Sequence, residues 1–257
     1  MNWSDHPPNW NTPIGEKIDR FFQAVAERFP GYSETIVVFG SATIHLRLDP
    51  DFNSADADLR VNADDILPFK ALTEEIGLGK SGKESGIFYL DITPPSAFRT
   101  TESWFGRAHT GIRHGLKIML PQVRDVLVGK LHRFRKPGVD AIEAKDLRAF
   151  LRVQELSGGH PTEGELLKDI LLCPHAWHLQ MSGAITDFRR NLEDLWPVLY
   201  HKPLDVKEQI IRPLLHELEL SGYEESQDWH SLVRALAPTR PRSHAPLMPA
   251  ARAKTGR

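Results

Sequence analysis

The apolar and polar positions divide the chain into a mixed half and a helical half. Residues 14–29 place Ile14, Ile18, Phe21, Phe22, Val25 and Phe29 at helical spacing, and Pro30-Gly31 ends the run. TIVVF (35–39) is a short β-branched and aromatic run that predicts a buried strand. Gly40-Ser41 follows at once, and ATIHLRL then predicts a short helix. ADADLRV (55–61) alternates strictly, with Ala55, Ala57, Leu59 and Val61 on one face and Asp56, Asp58 and Arg60 on the other. DDILPFKALTEEI (64–76) predicts a helix whose start Pro68 shifts to near Leu67. GIFYLDIT (86–93) and GLKIML (115–120) predict two further strands. VRDVLVGKLHRF (123–134) predicts a helix packed through Val123, Leu127 and Leu131. Beyond about residue 140 the pattern is helical, with helices expected at 143–154, 163–172, 179–200 and 205–220.

These elements imply an α+β fold with a mixed sheet flanked by helices and a helical C-terminal half. The expected organisation is a flexible N-terminus at 1–13, an α/β domain at 14–155, a helical region at 156–237 and a tail at 238–257. The tail, PTRPRSHAPLMPAARAKTGR, is rich in proline, alanine and basic residues and has no acid, so disorder is expected there. No internal repeat is present.

Composition narrows this picture only a little. Hydrophobic residues make up 40% of the 257 and charged residues 26%, as in ordinary globular proteins. A net charge of −2 leaves open a local basic face for a nucleic acid. The single cysteine, Cys173, rules out an internal disulfide framework and fits a reducing compartment. The opening MNWSDHPPNWN has neither the basic nor the apolar region of a signal peptide, and no apolar run reaches membrane-spanning length. A cytoplasmic location without membrane contact is expected.

The chemistry concentrates around two D-x-D doublets. Asp49-Pro50-Asp51 lies among turn formers, where aspartate satisfies local backbone groups, and a solvated turn is expected. Asp56 and Asp58 instead project from one strand face, where two close carboxylates repel unless a cation lies between them. A hard divalent ion, Mg²⁺ or Mn²⁺, suits them. A plain polar strand face also fits that pair. Gly40 permits close backbone approach to a ligand, and Ser41 opens a helix whose amides can meet a phosphate. An ordinary strand-to-helix turn with a serine cap is the alternative.

Other residues carry paired readings too. Asp91 alternates onto the face of Tyr89, opposite Phe88, Leu90 and Ile92. Lys130 is either a solvated lysine or a point-charge partner for phosphates. Asp146 is either a site residue or an acid favoured near a helix N-terminus. Arg107, in ESWFGRAH with Trp104, is expected in a solvated loop, with a phosphate or ribose partner as the other option. Cys173, His175 and His178 lack a second half-site for zinc and are expected to be structural. The RFRK run (133–136) and the basic tail are expected to be solvated charge, with RNA phosphates as the other option.

Gly40-Ser41 after a strand, a short helix and then Asp56-x-Asp58 on the next strand resembles the nucleotidyltransferase superfamily of the DNA polymerase β-like fold. The gap from Ser41 to Asp56 is longer than usual, as an insertion at DPDFN would make it. LPQVRDVLVGKLHRF…AKDLRAFL is further similar to bacterial nucleotidyltransferases related to the AbiEii toxins. The resemblance covers roughly residues 35–155. It implies a metal-dependent transfer of a nucleotide from an NTP to a hydroxyl of an RNA, a protein or a small molecule. Asp56, Asp58 and Asp91 would be the catalytic metal ligands. Gly40, Ser41, Lys130 and Asp146 would serve the nucleotide. It also implies that an antitoxin or a second copy could be a partner. The competing expectation is a non-catalytic binding or regulatory module of the same fold. A metal-dependent phosphohydrolase lacks the His-Asp constellation it would need.

Overall fold

The computed structural model describes residues 3–81, 88–94, 98–101, 104–136, 138–173 and 187–212. Helix α1 (Pro13–Arg28) starts at Thr12, whose hydroxyl accepts the Gly15 amide at 3.0 Å, and Pro13 fills the first turn. Strand β1 (Ile36–Phe39) leads through Gly40 into helix α2 (Ser41–Arg47). Strand β2 (Asp56–Val61), helix α3 (Leu67–Glu75) and strand β3 (Tyr89–Thr93) follow. After a 3₁₀ turn at Trp104–Arg107 come strands β4 (His109–Arg113) and β5 (Leu116–Leu120). The described helices of the second half are α4 (Val123–Leu131), α5 (Ala144–Leu156), α6 (Glu163–Leu171) and α7 (Phe188–Tyr200), followed by a π turn at Lys207–Ile211.

The five strands form one mixed sheet in the order β3-β2-β1-β5-β4. β1 runs antiparallel to β2 and parallel to β5; β2 and β3 are parallel, and β4 and β5 antiparallel. The fold is therefore α+β, as its pattern implied. Alternation in β2 sends Ala57, Leu59 and Val61 into a core shared with Ile36 and Val38 of β1, α1 and α3. The opposite face carries Asp56, Asp58 and Arg60 beside Phe39 and Val37. A second core joins α4, α5, α6 and α7 to Ile44 of α2, with Trp196, Phe150 and Phe188 fully enclosed. That core runs across residue 155, so the helices beyond it continue the packing of α4 and α5. Among the described residues no helix is long and apolar enough to cross a membrane.

Several expectations need correction. Residues 3–12 are not loose: the Asn9 amide donates to the Leu46 carbonyl at 2.7 Å, Arg47 Nε donates to the His6 carbonyl at 2.8 Å, and Trp3 packs on the second core. Asp49 is not a solvated turn residue. It is 5% exposed and accepts from Arg152 Nε at 2.7 Å, while Asp51 remains exposed. Arg107 is not a solvated loop cation but grips the fully buried Asp125, Nε to Oδ2 at 3.0 Å. Strand β4 was absent from the sequence expectation because its residues alternate between half-buried and exposed, with no apolar stripe. It turns into β5 through His114 (φ 50) and Gly115 (φ 80), the left-handed pair that a two-residue hairpin needs. The starts of the strand at 86–93 and the helix at 179–200, the end of the helix at 205–220, His175, His178 and the tail lie outside the described residues.

Asp125 also accepts from the Thr101 hydroxyl at 2.6 Å, so three donors from two side chains converge on one enclosed carboxylate. Asp125→Ala strands the Arg107 cation and is expected to destabilise the protein by about 3 kcal/mol in urea unfolding. A loss below about 1 kcal/mol would show that Arg107 finds solvent instead.

Candidate functional site

The polar face of β2 meets three neighbours whose positions follow from register. Phe39 lies directly opposite Asp58 across β1 and β2, and Asp91 lies directly opposite Asp58 across β2 and β3. Asp56 lies opposite Tyr89, whose hydroxyl donates to Asp56 Oδ2 at 3.1 Å. The alternation that placed Asp56, Asp58 and Asp91 on one side of the sheet therefore holds, and pairing of parallel β2 and β3 sets Asp91 across from Asp58, with Asp56 two residues along β2.

Gly40 abuts this cluster. Its backbone stands at φ 69 and ψ −154, a region open in practice only to glycine. A Cβ added there would lie 2.2 Å from Asp58 Oδ2. The residue thus lets the end of β1 turn while admitting the Asp58 carboxylate against the main chain. Ser41 does not cap α2. Its hydroxyl instead accepts from Lys130 Nζ at 3.0 Å. Helix α2 has seven residues, so its N-terminus offers little dipole, and the serine contributes through its hydroxyl.

Lys130 is 4% exposed on the last turn of α4, which excludes the solvated reading. Its Nζ also donates to Asp146 Oδ1 at 3.0 Å, and Asp146, 1% exposed, takes Arg133 Nε on Oδ2 at 3.0 Å. Asp146 in the first turn of α5 is thus the counter-ion of two cations. Burial pulls the Lys130 ammonium below its ordinary range, and Asp146 counters that pull. Gly40, Ser41, Asp58, Lys130 and Asp146 are consequently one connected group. Asp91 belongs to it through register, but its Oδ1 is engaged by the half-exposed Lys80 at 3.1 Å.

The group opens into a cleft of about 450 Å³ between the strand face and the C-terminal end of α4. Phe39, Gly40, Asp58 and Thr93 form one wall, and Lys130, Arg133 and Phe134 form the other. Phe98 and Arg99 cross between them, over Gly129, where a Cβ would meet Phe98 at 3.0 Å and the Arg99 carbonyl at 3.1 Å. Arg133 of the RFRK run is therefore part of the cleft rather than solvated surface. Arg99 and Tyr89 complete the constellation. Arg99 belongs to no motif, and nothing in the sequence singled it out.

Electrostatics separates Asp58 from its neighbours. Burial raises its carboxyl from 3.8 to about 6, Asp56 and Asp91 add repulsion, and Arg133 and Lys130 offset part of it. The Tyr89 phenol is pushed up to about 12 by burial and by Asp56. Negative charge is thus costly here without a cation. Among the described residues no three His, Cys, Asp or Glu side chains gather as a ready-made metal cage. A pair of carboxylates nevertheless fits Mg²⁺, which keeps waters and binds through one or two carboxylates plus substrate oxygens. Cys173 shows no ligand character: it is buried, donates to the Asp169 carbonyl at 3.3 Å, and burial pushes its thiol up.

Comparison with family models, with curated proteins and with solved structures returned no match to this chain.

A folded-state pKa above the unfolded one means that stability is present below 3.8 and is lost as pH rises through about 6. Asp58→Asn removes that loss. In chelator near neutral pH the variant should be more stable than wild type by about 1–3 kcal/mol, with the gap closing in acid. Urea unfolding at both pH values measures this. An equal effect at both would contradict a carboxyl raised by burial and by its acidic neighbours.

Proposed function

We propose that the protein is a metal-dependent nucleotidyltransferase that moves a nucleotide from an NTP to a hydroxyl acceptor. The observation that carries this reading is the meeting of Gly40, Asp58 and the buried Lys130 at one cleft. Asp58 lines the cleft with Asp56 on the same strand face beside it, and the enclosed Lys130 cation, suited to phosphate oxygens, lines it too. The mixed sheet, with D-x-D on the strand after the Gly-Ser turn, agrees with the nucleotidyltransferase fold that the sequence resembles.

Asp56 and Asp58 would hold Mg²⁺ or Mn²⁺, which when bound neutralises phosphate charge and polarises the α-phosphorus. Gly40 keeps the main chain close to Asp58, so the carboxylate holds its place. Lys130, anchored by Asp146 and Ser41, presents positive charge to the β- and γ-phosphates. Tyr89 orients Asp56 through its hydroxyl. The acceptor oxygen attacks the α-phosphorus, the bond to the β-phosphate oxygen breaks, and pyrophosphate leaves with Lys130 as its counter-charge. The hydroxyl proton passes to a carboxylate on the same face, and Asp91 is the proposed base. An RNA, a protein or a small molecule could supply the hydroxyl.

A second reading is a non-catalytic binding partner, for example within a toxin–antitoxin pair. The engagement of Asp91 by Lys80 favours it, because a third carboxylate is then tied up. Catalysis and binding separate experimentally. Asp56→Asn should cut transfer of labelled nucleotide by about 10²–10³-fold, the scale of one lost charge-stabilising group, while circular dichroism stays as in wild type. Transfer at the wild-type rate in that variant would refute the assignment. Nucleotide binding by wild type with no turnover on any acceptor pool would support the binding module.

A further inference from the structure

The cations of the cleft are not equivalent. Lys130 donates to Ser41 and Asp146, each at 3.0 Å. Arg133 pairs with Asp146 at 3.0 Å and with Glu143 at 3.8 Å. Both therefore bring their counter-ions with them. Arg99 differs. Its Nη1 is buried and has no hydrogen-bond partner among the described residues. What holds the guanidinium instead is an aromatic face, with Cζ 6.0 Å from the centre of the Phe134 ring.

That arrangement has a chemical meaning. Stacking on a π face uses none of a guanidinium's in-plane N–H donors, and in Arg99 the buried Nη1 is the one without an acceptor among the described residues. A buried donor without an acceptor costs free energy until one arrives. The acceptor must be anionic to suit a permanent cation, and planar paired donors suit phosphate oxygens. The cleft is small-molecule sized, and Arg99 and Asp58 both line it. We infer that Arg99, held by Phe134, is the phosphate-binding arginine of this cleft and takes the polyphosphate tail of the nucleotide. This rests on the nucleotidyltransferase reading for the identity of the ligand, but not for the anion site itself.

Inorganic tripolyphosphate separates the two. It carries the tail without base or sugar, and its binding to the full chain can be followed by calorimetry in chelator, so Asp58 is not engaged. Wild type is expected to bind it, and Arg99→Gln to weaken binding at least tenfold. Arg99→Lys should recover part of the charge but not the paired donors, leaving about a threefold loss or more. Phe134→Leu should weaken binding several-fold while leaving circular dichroism unchanged. Adenosine binding, if present, should be unmoved by Arg99→Gln. No binding of tripolyphosphate by wild type, or equal binding by wild type and Arg99→Gln, would overturn the assignment. Nucleotide transfer lost in Asp56→Asn but kept in Arg99→Gln would overturn it while sparing the proposed function. Tripolyphosphate binding through Arg99 in a protein that transfers no nucleotide would sustain it and sink that function.

Discussion

The close approach of the Asp58 carboxylate to the Gly40 main chain is the contact on which the site depends. It requires a residue without a side chain at the end of β1, in a backbone conformation that other residues avoid. It also requires antiparallel pairing of β1 with β2 in the register that sets Phe39 against Asp58. A slip of one residue would turn Asp56 and Asp58 into the apolar core and expose Ala57 and Leu59. The core beneath β2 therefore enforces the chemistry above it. Three carboxylates on one face of two paired strands are tolerated because the apolar faces of the same strands hold the sheet in place.

The helical half supplies the opposite charge. Lys130 could not stay buried without Asp146, and Asp146 could not stay buried without Lys130 and Arg133. Asp146, behind Lys130 and Arg133, and Asp58, in the cleft lining, thus play different parts. Asp146 is paid for by its cations, whereas Asp58 is left with a raised pKa and no direct ion pair among the described residues. The site thus keeps one carboxylate compensated and leaves another uncompensated. The packing of α6 and α7 on α4 and α5 fixes this geometry from behind, through Phe150, Phe188 and Trp196.

Much of the frame was legible because local signals and tertiary outcome agree. The β-branched run of β1 and the strict alternation of β2 gave both strands and the correct outward face for Asp56 and Asp58. Pro68 marked the start of α3. What stayed hidden depends on partners distant in sequence. Asp49 reads as a turn until Arg152 of α5 closes on it. Arg107 reads as a loop cation until Asp125 is found beneath it. Strand β4 gains its identity from pairing with β5, since its own residues show no apolar stripe and its turn is His-Gly rather than the commoner Asn-Gly. Lys130 and Asp146 were visible as motif residues, but their mutual burial was not. Arg99 had no sequence signal, because its meaning lies in a missing partner.

The central claim is that Asp56 and Asp58 form a divalent-ion site facing a nucleotide. Diffraction from crystals soaked with Mn²⁺ and a non-hydrolysable NTP analogue tests it most directly, through the anomalous signal of manganese. The account predicts a manganese peak bound by Asp56 and Asp58, with phosphate oxygens completing its coordination and the triphosphate reaching Lys130. Nucleotide bound elsewhere, or a cleft that takes neither ion nor nucleotide at saturating concentration, would contradict it.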